Sequence, residues 1–231
     1  MKLSLIIPCF NEGANLPLLL SQCEPLSRSG IEVILVDNGS SDNTSEVLKS
    51  LLPRYPGLRS VRVGTNRGYG FGILSGLKEA TGDLLAWTHA DMQTDPRDIL
   101  RGLELFKLHG HNIYVKGHRI NRGFRDKFFT IGMSIFETLL LRTHLWDINA
   151  QPNIFPRYFY ENWINPPFDF SLDLYAYFTA RQQGLPVYRF PVVFNERRHG
   201  VSHWNVNWRS KKKFIVRTIN FSIELKRRLS K

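Results

Sequence analysis

Short apolar runs that end in clusters of polar turn formers constrain this chain more than any other feature. Residues 2–9 (KLSLIIPC), 32–36 (EVILV), 58–63 (LRSVRV) and 84–88 (LLAWT) read as strands. Between them lie segments with apolar residues at helical spacing: Leu16, Leu18, Leu19 and Leu20; Val47, Leu48, Leu51 and Leu52; then Ile73, Leu74, Leu77 and Ala80. Runs this short and apolar suit strands buried on both faces. Alternation of strand and helix predicts a doubly wound, mostly parallel α/β sheet with helices on both faces. Ligands of such sheets lie beyond the carboxyl ends of the strands. Residues 8–12, 37–42 and 89–93 each follow a strand end, so three polar clusters are expected to converge on one crevice.

The second half is patterned differently. A strand is expected over 113–116, then a basic loop over 118–127 and an apolar helix over 128–141. Pro152, Pro156, Pro166 and Pro167 punctuate an irregular stretch, followed by a helix over 171–183 and a strand over 187–194. From Trp204 the tail carries nine Lys/Arg and one Glu, with Phe214, Ile215, Ile219, Ile223, Leu225 and Leu229 at helical spacing. With 231 residues, 42% of them hydrophobic, one large domain fits better than two small ones. The expected organisation is a single domain, 1–231, with a first half at 1–110, a second at 111–203 and a basic amphipathic helix at 204–231.

Charge divides along the same line. Residues 1–100 hold nine Lys/Arg against eleven Asp/Glu, whereas residues 101–231 hold twenty-two against nine. A basic half points to phosphorylated ligands, an anionic membrane or nucleic acid, or to a solvated surface kept for solubility. Nucleic acid is disfavoured, because the basic residues flank apolar helices and no nucleic-acid motif is present. Cys9 and Cys23 cannot make a disulfide framework, and Cys9 lies in a buried strand, which favours a reduced, cytosolic chain. The apolar stretch at 3–9 is too short for a secretion signal, and no run reaches the roughly 18 residues that span a bilayer.

Several residues can carry chemistry. A carboxylate at Asp37, directly after a strand, can accept hydrogen bonds from a nucleobase or a ribose, or can close an Asx turn. If residues 89–93 are extended, His89, Asp91 and Gln93 face one side and offer nitrogen and oxygen ligands to Mn²⁺ or Mg²⁺. Asp95 equally suits the cap of a helix starting at Pro96. Lys116, Arg119, Arg122, Arg125 and Lys127 precede the apolar helix at 128–141. A lipid phosphate needs such a pairing of cations with apolar surface, and a solvated loop before a core helix has the same composition. Asp169 and Asp173 lie at a helix start, as capping residues or as a general base for an acceptor hydroxyl. A phosphate acceptor is already anionic and needs no base.

Pro8-Cys9-Phe10-Asn11-Glu12, Val36-Asp37-Asn38-Gly39-Ser40-Ser41-Asp42, Asn66-Arg67-Gly68-Tyr69-Gly70 and His89-Ala90-Asp91-Met92-Gln93 resemble, in order and spacing, four motifs of the family 2 glycosyltransferases. The rest of the chain is closer to the polyprenyl-phosphate sugar synthase branch, which includes dolichol-phosphate mannosyltransferases, than to processive polysaccharide synthases. The resemblance implies a GT-A fold and inverting transfer from a nucleotide-sugar donor. Pro8, Phe10 and Glu12 would then border base and ribose, Asp37 would contact the base, and Asn66, Arg67 and Gly68 would lie beside the nucleotide or diphosphate. Asp91 would hold the metal with Gln93 assisting, and His89 stands where the family usually has Asp. Asn38 replaces an acidic residue common in the second motif.

On the acceptor side the resemblance implies a phosphate-binding role for Arg119 and Arg125. It also implies an acceptor-site motif at 147–152 and a late segment, 197–204, that closes over diphosphate and acceptor phosphate. Arg198 and Ser202 belong to that late segment, and His203 stands where Lys is frequent. The catalytic set implied is Asp91, Asp169, Asp173 and Arg198. The acceptor implied is a polyprenyl phosphate or a lipid-linked glycan in cell-surface polysaccharide or glycoconjugate synthesis. Such an enzyme would work peripherally at the inner face of the cell membrane, and a homodimer is compatible with it. A catalytically silent nucleotide-binding or scaffold protein of the same fold is the alternative that His89 and Asn38 raise.

Overall fold

The computed structural model describes residues 1–121, 123–199 and 208–229. Strands β1 (Leu3–Cys9), β2 (Glu32–Asn38), β3 (Leu58–Val63), β4 (Leu84–Trp87), β5 (Tyr114–Ile120), β6 (Asn153–Pro156) and β7 (Val187–Val193) form one sheet in the order β3-β2-β1-β4-β6-β5-β7. β6 runs antiparallel to both its neighbours, β4 and β5, and the other pairings are parallel. The helices are α1 (Leu16–Arg28), α2 (Thr44–Leu51), α3 (Tyr69–Glu79), α4 (Asp98–His109), α5 (Phe124–Leu141), α6 (Arg157–Glu161), α7 (Ser171–Gln182) and α8 (Trp208–Leu229).

The sheet is buried on both sides because each strand splits its side chains between two cores. Leu3, Leu5, Ile7 and Cys9 of β1 pack with Leu16, Leu19, Leu20 and Cys23 of α1 and Ile99 and Phe106 of α4. Ile6 of the same strand joins the opposite core, with Ile73 and Leu77 of α3, Trp87, Phe155 and the inner face of α7. Period-2 alternation thus supplies both layers, as a doubly wound sheet requires. Both cysteines are free and buried. α3 lies close on the sheet: a Cβ at Gly76 would stand 2.5 Å from Ile6 Cγ2 and 2.8 Å from Val36 Cγ2. Gly68, just before α3, has φ +117°, and a Cβ there would meet the Phe168 carbonyl oxygen at 2.3 Å.

The expected GT-A architecture is met, with differences at the ends of elements. β2 runs on through Asp37 and Asn38, which pair with Arg62 and Val63 of β3. α2 starts at Thr44, whose backbone N–H donates to Asp42 Oδ1, so Asp42 acts just ahead of the helix. α4 starts at Asp98, three residues beyond Asp95. The expected basic loop at 118–127 does not exist as such: β5 continues to Ile120 because His118, Arg119 and Ile120 pair with Pro191, Val192 and Val193 of β7. α5 then begins at Phe124. The proline-rich stretch hides β6, in which Pro156 takes the last position, where a missing N–H is tolerated. Among the described residues, no helix is long and apolar enough to cross a membrane.

Candidate active site

Three polar segments leave the carboxyl ends of β1, β2 and β4, and they meet as expected. Asn11, in the left-handed region (φ 58°), turns its side chain toward the second segment, where its Oδ1 accepts from the backbone N–H groups of Ser41 (2.9 Å) and Asp42 (3.3 Å). The Glu12 backbone N–H donates to Thr44 Oγ1 at 2.9 Å. Pro8 and Phe10 border this turn half-buried. Asp37 is buried, yet its carboxylate is compensated: Oδ1 accepts from the Ser40 N–H at 2.9 Å and Oδ2 from the Ser45 hydroxyl at 2.5 Å, with Arg62 Nε 3.6 Å away. That answers why an acid can end a buried strand.

The third motif closes the same crevice from the α3 side. Asn38 Nδ2 donates to the Gly68 carbonyl at 3.0 Å, so the residue replacing an acid ties β2 to the loop before α3. Asn66 Oδ1 accepts from the Gly68 N–H at 2.8 Å. Arg67 is exposed, its guanidinium lying 4.5 Å from the Phe71 ring centre and 5.1 Å from that of Phe168.

The segment after β4 departs from expectation. It bends rather than extends, with Met92 at φ 61°, so His89, Asp91 and Gln93 do not alternate as strand residues. His89 packs against Tyr69, ring centres 5.4 Å apart. Gln93 Nε2 donates to the Asn195 carbonyl at 3.3 Å, while Asp91 Oδ1 accepts from the Gln93 N–H at 3.1 Å. Asp91 Oδ2 accepts from Arg197 at 2.7 Å, and the same guanidinium lies 3.7 Å from Glu12 Oε1. Burial pushes the Glu12 carboxyl above its usual range, with Asp91 adding to the rise and the Asn15 hydrogen bond and Arg197 opposing it. Asp91 is a hard oxygen donor suited to Mg²⁺ or Mn²⁺. Among the described residues no three His, Cys, Asp or Glu side chains converge as a cluster.

The acceptor-side cations divide sharply. Lys116 is fully buried on β5, where Nζ donates to the Ala150 carbonyl and to Asn153 Oδ1, both at 2.7 Å. Burial brings its pKa down to about 7; Arg189 and Arg119 act in the same direction, against Asp173 and Asp147. Arg119 grips Asp147 through its backbone N–H (2.9 Å), Nε (2.8 Å) and Nη2. Burial works to raise the Asp147 carboxyl, but Arg119 and then Arg189 outweigh it and hold the acid below its usual range. Lys127 is exposed on α5. Arg125 lies in the first turn of α5 with its side chain outside the described set, and Arg122, Ser202 and His203 lie outside the described residues.

The two candidate bases differ as well. Asp173, buried in α7, accepts through Oδ1 from Trp87 Nε1 (3.1 Å), Gln151 Nε2 (2.8 Å) and Asn153 Nδ2 (3.2 Å). Gln151 Nε2 also donates to the Tyr69 hydroxyl at 3.0 Å, which joins this network to the ring beside His89. Asp169 caps α7 by accepting from the Ser171 N–H at 2.8 Å and pairs with Arg217 of α8 at 3.0 Å. Arg198 is exposed, and it is its neighbour Arg197 that enters the crevice. Sequence reasoning gave no role to Arg197, Tyr69, Gln151 or Asn153. The first three lie inside the segments singled out above, Asn153 lies one residue beyond one of them, and nothing local distinguishes Arg197 from Arg198.

Comparison with known proteins shows the family and the fold. The model of glycosyl transferase family 2 matches residues 4–165. A Pseudomonas paraeruginosa undecaprenyl-phosphate 4-deoxy-4-formamido-L-arabinose transferase is 41% identical over 106 residues, covering 44% of this chain and 31% of the relative. A dolichol-phosphate mannosyltransferase from Pyrococcus furiosus is 35% identical over 126 residues, covering 52% and 35%. The matches thus span about a third of the length of these relatives. Among solved structures, glucosyl-3-phosphoglycerate synthase from Mycobacterium tuberculosis, in complex with Mn²⁺, UDP-glucose and phosphoglyceric acid, superimposes with a TM-score of 0.75 at 17% identity, covering 97% of this chain and 79% of that one. A mannosyltransferase from Pyrobaculum calidifontis in complex with GDP-mannose and Mn²⁺ gives a TM-score of 0.69 at 20% identity, covering 96% and 64%. At these identities the structural likeness establishes the fold alone.

Proposed function

This chain belongs to glycosyl transferase family 2, and from that premise we propose that it transfers a sugar, with inversion, from a nucleotide-sugar to a polyprenyl phosphate. The observation that carries the reading is the convergence of Glu12, Asp37 and Asp91 at the carboxyl ends of three adjacent strands. Asp37, with Pro8, Phe10 and Glu12, lines the place for base and ribose, and Asn66, Arg67 and Gly68 flank the phosphates. Asp91 holds the divalent cation, Mn²⁺ or Mg²⁺, with His89 and Gln93 as its neighbours. When bound, the cation neutralises charge on the leaving diphosphate.

A phosphate acceptor suits the residues on the other side of the crevice. Its oxygen attacks the anomeric carbon, the new C–O bond forms as the bond to the nucleoside diphosphate breaks, and no proton has to be removed. Asp173 is spent on three donors and Asp169 on a cap and an ion pair, so neither is poised as a base. The curated relatives are named for undecaprenyl phosphate and dolichol phosphate, and no comparison supports the silent alternative. Arg119 borders the acceptor side through its grip on Asp147, and the family resemblance assigns Arg125, Arg198 and Ser202 to the phosphates.

The reading also places the protein peripherally on the inner face of the cell membrane. Phe128, Ile131, Ile135 and Leu139 expose an apolar stripe along α5, beside Lys127, and Lys226, Arg227 and Arg228 end α8. Such a pairing suits an anionic lipid surface. The test is a donor screen: UDP- and GDP-sugars with Mn²⁺ or Mg²⁺, membrane lipid extract as acceptor, and mass spectrometry of the lipid product. A glycosylated polyprenyl phosphate from one donor is expected. Transfer only to hydroxyl acceptors would overturn the phosphate assignment.

A further inference from the structure

Arg197 follows β7 by four residues, and its guanidinium spans two carboxylates from different strand ends. One nitrogen donates to Asp91 Oδ2 at 2.7 Å and the other stands 3.7 Å from Glu12 Oε1. The backbone holds this reach in place: the Asn195 N–H donates to the Gln93 carbonyl at 2.8 Å, and Gln93 Nε2 returns a bond to the Asn195 carbonyl. Residues 195–197 are thereby fastened to the segment that carries Asp91. A buried acid, Asp91, and a half-buried one, Glu12, side by side repel and call for a cation between them. Oδ1 of Asp91 already accepts the Gln93 N–H, so Oδ2 is the oxygen for which any second cation must contend.

We infer that Arg197 and a divalent cation are alternative partners of the Asp91 carboxylate. This rests on the donor-site reading above and adds to it an order of events. The cation by itself has to displace a charge-assisted hydrogen bond and binds weakly. Arriving with a nucleoside diphosphate, it brings phosphate oxygens to which the displaced guanidinium can turn, because a planar fork pairs with phosphate as well as with carboxylate. Metal and nucleotide therefore favour each other's binding, and Arg197 is the positioning residue through which they do so. Arg197 is latched on Asp91 before the donor enters and released once it is bound.

The competition is measured by Mn²⁺ binding to the full chain, with free Mn²⁺ followed by electron paramagnetic resonance, with and without UDP or GDP. Without nucleotide, Arg197→Gln is expected to bind Mn²⁺ at least about tenfold tighter than the wild type, and Arg197→Lys to restore weak binding. Adding Asp91→Asn to Arg197→Gln is expected to abolish the gain. Nucleotide is expected to tighten Mn²⁺ binding to the wild type much more than to Arg197→Gln. Equal Mn²⁺ affinity in wild type and Arg197→Gln would overturn the inference. Calorimetry with nucleotide-sugars on the same wild-type sample separates the two failures. Donor binding with no effect of Arg197 removes only the competition, whereas no donor binding removes the site reading and the inference with it.

Discussion

The donor half and the acceptor half spend their charged side chains in opposite ways. In the first half, Asp37 near the end of β2, and Glu12 and Asp91 past the ends of β1 and β4, are held by nearby N–H and O–H groups. In the acceptor half, Lys116, Arg119, Asp147 and Asp173 sit on or beside the sheet, each with two or more partners inside the protein. A carboxylate gripped by a buried arginine from another element acts first as a brace. The same residue types are thus placed at strand-end turns in one half and across the sheet as braces in the other.

Four substitutions would break or sharpen that contrast. The largest effect is expected from Asp147→Ala, which leaves Arg119 and Arg189 without their carboxylate. Losing one partner of a buried pair costs about 3–5 kcal/mol, read as a lowered urea midpoint. A midpoint within experimental error of wild type would deny the brace. Asp91→Ala should do the reverse, leaving the urea midpoint near wild type while sugar transfer and donor hydrolysis fall about 10²–10³-fold, as when a charge-stabilising group is removed. Retained transfer in the presence of a metal chelator would remove the metal role.

Glu137 of α5 gives a pH-dependent effect of intermediate size. It is fully buried, it accepts from the Ser222 hydroxyl of α8 at 2.7 Å, and burial raises its pKa to about 7. A raised carboxyl pKa gives stability that is whole below the unfolded value, near 4.5, and lost as pH climbs through about 7. Glu137→Gln should therefore flatten the fall in stability between pH 5 and pH 8 and gain about 2–3 kcal/mol at the upper end. Thermal unfolding across that range is the check, and a parallel pH profile in the variant would refute the assignment. Asp169→Asn should matter least: the Arg217 pair is half-exposed, so stability changes by under about 1 kcal/mol. Transfer to a phosphate acceptor should stay within a few-fold, whereas a general base would lose about 10² or more.

Legibility in the sequence follows the same division. Strand ends in the donor half are marked by local composition, so β1, β3 and the convergence of residues 8–12, 37–42 and 89–93 could be read directly. The second half of β5, beyond the strand expected over 113–116, and the whole of β6 could not. His118 and Arg119 look like loop residues until β7 supplies their pairing, and β6 is four residues between prolines whose strand character comes from β4 and β5. The choice of Arg197 over Arg198 depends on a contact spanning 106 residues of chain. The family motifs located the donor crevice and left open which long-range partner enters it.

The most direct test of the donor crevice is calorimetric titration of the wild type, Asp37→Asn and Asp91→Asn with a panel of UDP- and GDP-sugars in Mn²⁺. One nucleotide-sugar is expected to bind the wild type, with affinity reduced at least about tenfold in each variant, or about 1.4 kcal/mol. No binding by any nucleotide-sugar, or binding indifferent to both substitutions, would contradict a donor site at the ends of β1, β2 and β4.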